Sequence, residues 1–151
     1  MILRFRDAIE SDLPTLLAML ANDSLGKQRE LAPDFVPETY RRAFSAISSD
    51  RNNELIIAEH ASCVVGMAQI TYIPYLTYQG SWRALIEGVR VHADHRNQGI
   101  GKQMFEWVIH RARERGCAIV QLTSDKRRED AFRFYSQLGF VASHEGFKLR
   151  L

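Results

Sequence analysis

The spacing of apolar residues changes along the chain between a helical period and a strand period, and these changes divide the chain into helices and strands. Apolar residues recur every three or four positions over 13–20, 40–47 and 100–112, which predicts three amphipathic helices. Ser11 and Asp12 are suitable caps for the first helix, and Gly116 suits the position after the third. The stretch "REDAFRFYSQLG" predicts a short fourth helix that ends at Gly139.

Strand-like segments fill much of the remaining chain. Two of them, "ELIIAEH" and "CVVGMAQITYIP", are joined by a tight turn and predict a hairpin. The others are 2–6, "RALIEGVRV", "AIVQLTS", "FVASH" and "FKLRL". The resulting order, β-α-α-β-β-β-α-β-α-β-β, predicts a mixed sheet with helices on both faces, in the α/β class. We expect one domain over residues 1–151, with a right-handed parallel crossover between 83 and 124.

Composition narrows the class of protein. The formal net charge of the 151 residues is +2, and basic residues alternate with acidic ones, which argues against nucleic acid as a partner. No apolar run approaches the roughly 20 residues of a membrane span, and "MILRFRDAIE" lacks the apolar core of a signal peptide. Cys63 and Cys117 are too few for a disulfide framework. We expect a cytoplasmic protein without a membrane partner.

A glycine-containing turn follows the strand "IEGVRV". Gly99 and Gly101 lie where that strand ends and a helix begins, so the unpaired amides of the first helical turn are open to an anion. The amides from Gln98 to Lys102 would form an anion cradle, with Arg96 and Lys102 adding mobile positive charge. The alternative is an ordinary strand-to-helix turn that uses glycine for its backbone angles. Neither a Walker loop nor the dinucleotide fingerprint fits this spacing.

An acidic residue interrupts the same strand. On a regular strand Leu85, Glu87, Val89 and Val91 share one face, which places a carboxylate among apolar side chains. Burial makes a carboxylate a stronger base, so Glu87 is a candidate general base. The alternative is a rim glutamate paired with an arginine. Gly88 is expected to mark a β-bulge or a close approach of the backbone.

Two motifs resemble a known family. Arg96, Gly99 and Gly101 match the pattern Q/R-x-x-G-x-G/A, and "AFRFYSQLGF" resembles the segment A-x-x-F-Y-x-x-x-G-F. Both are similar to motifs of the GNAT superfamily of acyl-CoA-dependent N-acyltransferases, in which the first is the coenzyme A pyrophosphate loop. Residues 83–141 carry most of this resemblance.

The resemblance implies an acetyltransferase that uses acetyl-CoA as co-substrate and has a splayed central strand pair. It implies that Glu87 is the general base, that Tyr135 protonates the leaving thiolate, and that the Val89 N–H is an oxyanion donor. It places coenzyme A on the following residues: Val89, Arg90, Val91, Arg96, Asn97, Gln98, Gly99, Ile100, Gly101, Lys102, Ser124 and Phe134.

The acceptor is expected to be a primary amine of a small molecule or a peptide. It would enter between the loop at 22–35 and "TYIPYLTYQ", where Asp23, Glu30, Tyr72 and Tyr75 could hold a cation. No metal is expected. The alternative is a coenzyme-A-binding regulatory protein without turnover. A homodimer is expected from the family and from the exposed terminal hairpin.

Overall fold

The structure is a computed structural model that describes residues 1–22 and 35–151. The strands of this part are β1 Arg4–Asp7, β2 Asn53–His60, β3 Cys63–Pro74, β4 Trp82–Val91 and β5 Cys117–Leu122. The helices are α1 Leu13–Ala21, α2 Glu38–Ser49, the four-residue α3 Thr77–Gly80, α4 Ile100–Glu114 and α5 Glu129–Gln137. None of the described helices combines the length and apolar character needed to cross a bilayer. The predicted mixed α/β class is confirmed.

The chain divides into two compact units, 1–121 and 122–151. The first unit carries nearly all of the sheet, whose strand order is β1-β2-β3-β4-β5. The first three neighbouring pairs are antiparallel. The hairpin between β2 and β3 is confirmed, and its turn places Ala61 and Ser62 at φ 48° and 64°. Positive φ at both turn residues follows the twist of the flanking strands.

Helices cover both faces of the sheet in the first unit. On one face, Leu16 and Met19 of α1 pack with Ile57 and Met67 in a buried cluster. We call this side the α1 face. On the other side, the α4 face, a Cβ placed on Gly66 would lie 2.5 Å from the Met104 sulfur. Glycine at 66 therefore allows α4 to approach the sheet closely.

Ion pairs connect the first helices to the sheet. Arg6 on β1 donates to both carboxylate oxygens of Asp12, at 2.8 and 3.0 Å, and its Nε donates to Glu59. The guanidinium of Arg6 and the Ile9 N–H both hold the pKa of Asp12 below its usual range, with the arginine contributing more. The sequence therefore places α1 by charge as well as by its apolar stripe.

The prediction differs from the structure at the C terminus. The second unit contains α5, with Gly139 at φ 89° after its end as predicted, but 140–151 form no strand. The alternating side chains Phe147 and Leu149 are 96% and 88% exposed. Alternation indicates which face each side chain of a strand would take, but a strand forms only where its backbone pairs with a neighbour. The sequence pattern does not supply that neighbour.

Candidate active site

A β-bulge at Gly88 changes the course of β4. Glu87 lies opposite Gln69 of β3, whereas Arg90 lies opposite Met67, so β4 has one more residue than β3 over this interval. Gly88 takes φ 62°, the left-handed conformation typical of one class of bulge. The expectation of a bulge at Gly88 is therefore confirmed.

The bulge also corrects the expected face of the strand. Glu87 is on the α1 face with Leu85, but Val91 pairs with Gly66 and is on the α4 face. One inserted residue reverses the alternation of every later side chain, so the predicted shared face ends at Gly88. The sequence contained a signal for this reversal, since glycine inside a strand is an unusual choice.

Glu87 is exposed rather than buried. The prediction that the Glu87 carboxylate is buried among apolar side chains is therefore wrong. Neither Arg83 nor Arg90 forms an ion pair with Glu87 within the described residues, so the interpretation as a paired rim glutamate is not supported either. The carboxylate lies next to the bulge with its oxygens available to a ligand.

The glycine turn has the geometry of an anion site. Asn97 and Gly99 take φ 61° and 78°, and α4 begins at Ile100 with Gly99 as its N-cap. Among the described residues, a Cβ added to Gly99 would meet no atom within 4 Å, so none of them blocks the approach to the helix. The first turn of α4 contains no acidic residue, and Lys102 is exposed there. These features fit the diphosphate of coenzyme A.

The side chains around this turn have different environments. Gln98 is exposed, and its amide donates to the Asp94 carbonyl at 3.2 Å. Ile100 is 1% exposed and belongs to the core, so its contribution to a ligand is limited to its main chain. Arg90 donates to the carbonyl of its neighbour Val89 at 2.8 Å. Val89, Arg90 and Val91 are all half-buried.

Arg96 was expected to supply mobile positive charge, but the structure gives it fixed partners. Its guanidinium donates to the Val91 carbonyl at 3.3 Å and to the Asn22 carbonyl at 2.8 Å. It thereby links the end of β4 to the end of α1. These residues line a cavity of about 380 Å³ together with Pro14, Thr15, Ala18, Met19, His92 and Ala93.

The residues expected to hold the acceptor amine are also placed differently. Tyr72 is 2% exposed and donates to Glu54, so its hydroxyl cannot reach a ligand. Burial and the nearby Glu54 carboxylate raise the pKa of Tyr72. Tyr75 is half-buried and donates to Gln121 at 3.2 Å. Asp23 and Glu30 lie outside the described residues.

A cluster that the sequence did not predict lies on the α1 face beyond Leu85. The guanidinium of Arg83 lies 4.1 Å above the Tyr75 ring, and its Nη1 donates to Gln121 Oε1 at 3.1 Å. Gln121 belongs to β5, which is distant in sequence from the other two residues. Such a contact depends on which strands are neighbours, and no local pattern indicates it.

The remaining predicted site residues belong to the second unit. Tyr135 and Phe134 lie on α5, both half-buried, with their ring centroids 5.4 Å apart. The Tyr135 ring also contacts Phe140, at 6.0 Å between centroids. Ser124 is exposed in the segment between β5 and α5. Their expected roles in catalysis and cofactor binding stay predictions.

Acyl-CoA-dependent N-acetyltransferases are the class of enzyme that this fold and its glycine turn define. Residues 20–140 match the family model described as the acetyltransferase (GNAT) family, and the chain belongs to that family. The predicted family and the predicted enzyme class are thereby confirmed.

Several known proteins are similar to the chain. An aminoalkylphosphonate N-acetyltransferase of Salmonella typhimurium is 30% identical over 110 residues, which cover 73% of this chain and 71% of that protein. An L-methionine sulfoximine/L-methionine sulfone acetyltransferase of Pseudomonas paraeruginosa is 26% identical over 140 residues, or 91% and 80% of the two chains. A crystal structure described as a transcriptional regulator from Bacillus halodurans C-125 has 55% identity and a TM-score of 0.96, covering 99% of this chain and 100% of that one.

Proposed function

We propose that the protein transfers an acetyl group from acetyl-CoA to the primary amine of a small molecule, with both substrates bound together. Glu87 is the general base and Tyr135 the general acid in this proposal. The observation that carries it is the β-bulge at Gly88, which places an exposed carboxylate directly before the strand segment that leads to the glycine turn. One short stretch of chain thus provides a base and an anion site.

The chain's main-chain groups hold the cofactor in this proposal. Amides between Asn97 and Lys102 receive the diphosphate, and the exposed Lys102 ammonium adds charge beside them. Val89 and Val91 bind the pantetheine arm through their backbone. Ser124 and Phe134 are further proposed contacts of the cofactor. When bound, acetyl-CoA supplies an acyl group activated as a thioester.

Glu87 has a definite task in such a reaction. An alkylamine with a pKa of ~10.4 is protonated at neutral pH, and removing its proton at pH 7 costs about 4–5 kcal/mol. A carboxylate near the amine, directly or through a water molecule, accepts this proton and offsets part of the cost. Because Glu87 has no ion-pair partner within the described residues, no side chain there competes for its oxygens.

The later steps use one main-chain donor and one hydroxyl. The Val89 N–H stabilises negative charge that develops on the carbonyl oxygen. The Tyr135 hydroxyl protonates the departing sulfur; a thiol has a pKa of ~8.5 and a phenol of ~10, so the proton transfer is feasible. Holding both substrates together supplies much of the rate enhancement.

The comparisons support a small-molecule acceptor. The names of two relatives specify an aminoalkylphosphonate and the sulfoximine and sulfone of methionine, which are all small compounds with an amino group. A small acceptor is also compatible with the exposed position of Glu87 on the α1 face.

Thiol release from acetyl-CoA, measured against a panel of small amines, tests the proposal. Glu87→Gln is expected to lower kcat/KM by about 10²–10⁴-fold, the usual contribution of a general base. Glu114→Gln is the matched control, because Glu114 is a half-exposed glutamate at the far end of α4. Its substitution should leave the rate near that of the wild type.

Two results would contradict the proposal in different ways. A Glu87→Gln rate equal to that of the control would remove Glu87 from the mechanism. Saturable binding of coenzyme A without thiol release for any amine would favour the coenzyme-A-binding regulatory protein instead. Tyr135→Phe is expected to lower kcat, and an unchanged kcat would exclude Tyr135 as the acid.

A further inference from the structure

Arg83 is held in a defined position on the α1 face. Its guanidinium lies 4.1 Å from the centre of the Tyr75 ring, and its Nη1 donates to Gln121 Oε1. The Tyr75 hydroxyl donates to the same oxygen at 3.2 Å, so the three side chains fix one another. A fork of donors that is already oriented loses little entropy when it binds a planar or tetrahedral anion.

Among the described residues, no carboxylate balances the positive charge of this guanidinium. Within the described residues, Arg6 pairs with Asp12 and Arg111 pairs with Glu54, whereas no acid lies within ion-pair distance of Arg83. The residue is half-buried, and its Nε is a buried donor without a partner in this part of the chain. Removing a charge and its donors from water is unfavourable unless an opposite charge or an acceptor replaces the water.

A second buried polar atom lies close in sequence to this guanidinium. The hydroxyl of Ser81 also has no partner within the described residues. The Ser81 carbonyl accepts from the Tyr75 N–H at 2.8 Å, which connects this residue to the same cluster. Ser81 and Arg83 are two residues apart in the sequence, and each has a buried polar atom that a bound group could satisfy.

Arg83 and Glu87 are on the same side of β4. Arg83 lies opposite Ile73 and Glu87 opposite Gln69, and the bulge begins only after Glu87. Four residues of strand span roughly 13 Å between Cα atoms. The two side chains therefore stand on one surface, with a cation at one end and a carboxylate at the other. The polar residues Gln69 and Thr71 lie between them on β3, both half-buried.

We propose that Arg83 binds an anionic group of the acceptor whose amine lies at Glu87, so that the acceptor is an amine that also carries a carboxylate or phosphonate group. This inference rests on the function proposed above. The charges of such an acceptor complement the surface at both ends, since its ammonium faces Glu87 and its oxyanion faces Arg83. Arg83 is a specificity-determining residue in this reading and takes no part in proton transfer.

Binding can be measured without turnover. The protein is saturated with coenzyme A, and calorimetry compares 2-aminoethylphosphonate and 3-aminopropylphosphonate with ethylamine and propylamine. A charge-assisted hydrogen bond to arginine predicts that each phosphonate binds about ten- to a hundredfold more tightly than the alkylamine of the same length. Arg83→Met should abolish this preference and leave alkylamine affinity unchanged, and Arg83→Lys should retain part of it.

The chain offers a matched control for the arginine. The guanidinium of Arg115 lies 4.4 Å from the centre of the Tyr72 ring, a similar stacking geometry at the far end of α4. Arg115→Met should not alter the preference for phosphonates. In thiol-release assays, Arg83→Met should raise KM for the phosphonates while kcat changes little.

The outcomes separate this inference from the function on which it rests. Equal binding of phosphonates and alkylamines by the wild type would overturn the role of Arg83, even if alkylamines were acetylated, and this comparison needs no variant to fold. Equal losses for both probe classes in Arg83→Met would also overturn it. Absence of thiol release with every amine would refute the proposed function, and the calorimetric comparison would still decide on Arg83.

Discussion

The substitution Gly99→Ala tests whether the turn before α4 binds the diphosphate of coenzyme A. Gly99 has φ 78°, and a Cβ at this position would meet no atom of the described part of the chain within 4 Å. The cost to folding is therefore backbone strain without a steric clash. Alanine in the left-handed region costs about 1–2 kcal/mol of backbone strain. The lower conformational entropy of the unfolded alanine variant offsets part of this cost.

The same helix supplies the control for this substitution. Gly116, just after the end of α4, has φ 74°, and a Cβ there would also meet no atom of residues 1–22 and 35–151 within 4 Å, so Gly116→Ala introduces almost the same strain at the opposite end. A net loss of about 1 kcal/mol lowers the melting temperature of a domain of this size by roughly 2–4 °C. Both variants should show this shift in thermal unfolding.

Only Gly99→Ala should also weaken coenzyme A binding. A methyl group in the cradle separates phosphate oxygens from the amides of the first helical turn, and one charge-assisted hydrogen bond is worth about 1.5–3 kcal/mol. Calorimetry should therefore give a Kd raised about ten- to a hundredfold for Gly99→Ala and unchanged for Gly116→Ala. Equal affinities for the two variants would refute the assignment of the diphosphate to this turn.

Two predictions concern the stability of the sheet and its first helix. Asp12→Asn should lower the free energy of unfolding by about 2–3 kcal/mol at pH 7, measured with urea, because it leaves Arg6 without one of its carboxylate partners. The pKa of Asp12 is depressed in the folded chain, so its stabilising contribution is present above the unfolded pKa near 3.9 and is lost as pH falls through the folded value. The free energies of unfolding of the wild type and of Asp12→Asn should therefore converge in acid. Gly66→Ala should cost about 1–3 kcal/mol through its contact with Met104, and Met104→Ala should relieve part of that cost in a double-mutant cycle.

Elements with a strong local signal were predicted close to their observed positions. The apolar stripe of 13–20 became α1, and that of 100–112 became α4, with Gly116 after its end. Caps, periodicity and glycine stops are local properties, and the sequence records them directly. The hairpin between β2 and β3 was predictable for the same reason, although its turn uses Ala61 and Ser62 rather than glycine.

Features that depend on distant parts of the chain were not predicted. The bonds from Arg96 to the Asn22 carbonyl and from Arg83 to Gln121 join residues that are 74 and 38 positions apart. No spacing rule indicates them, because they follow from which elements are neighbours in space. At 140–151 a local pattern predicted strands that did not form, because a strand also requires pairing with a neighbour that can be distant in sequence.

Because of the bulge at Gly88, regular strand alternation predicted the wrong face for Val91. A regular β4 would place Glu87, Val89 and Val91 on one face, so the proposed base would lie among the residues proposed to bind the cofactor arm. The inserted residue instead keeps Glu87 on the α1 face with Arg83 and moves Val91 to the α4 face. The surface that we propose for the acceptor and the strand segment that leads to the glycine turn are thereby separated along a single strand. Replacing Gly88 by a β-branched residue would oppose the positive φ on which this separation depends.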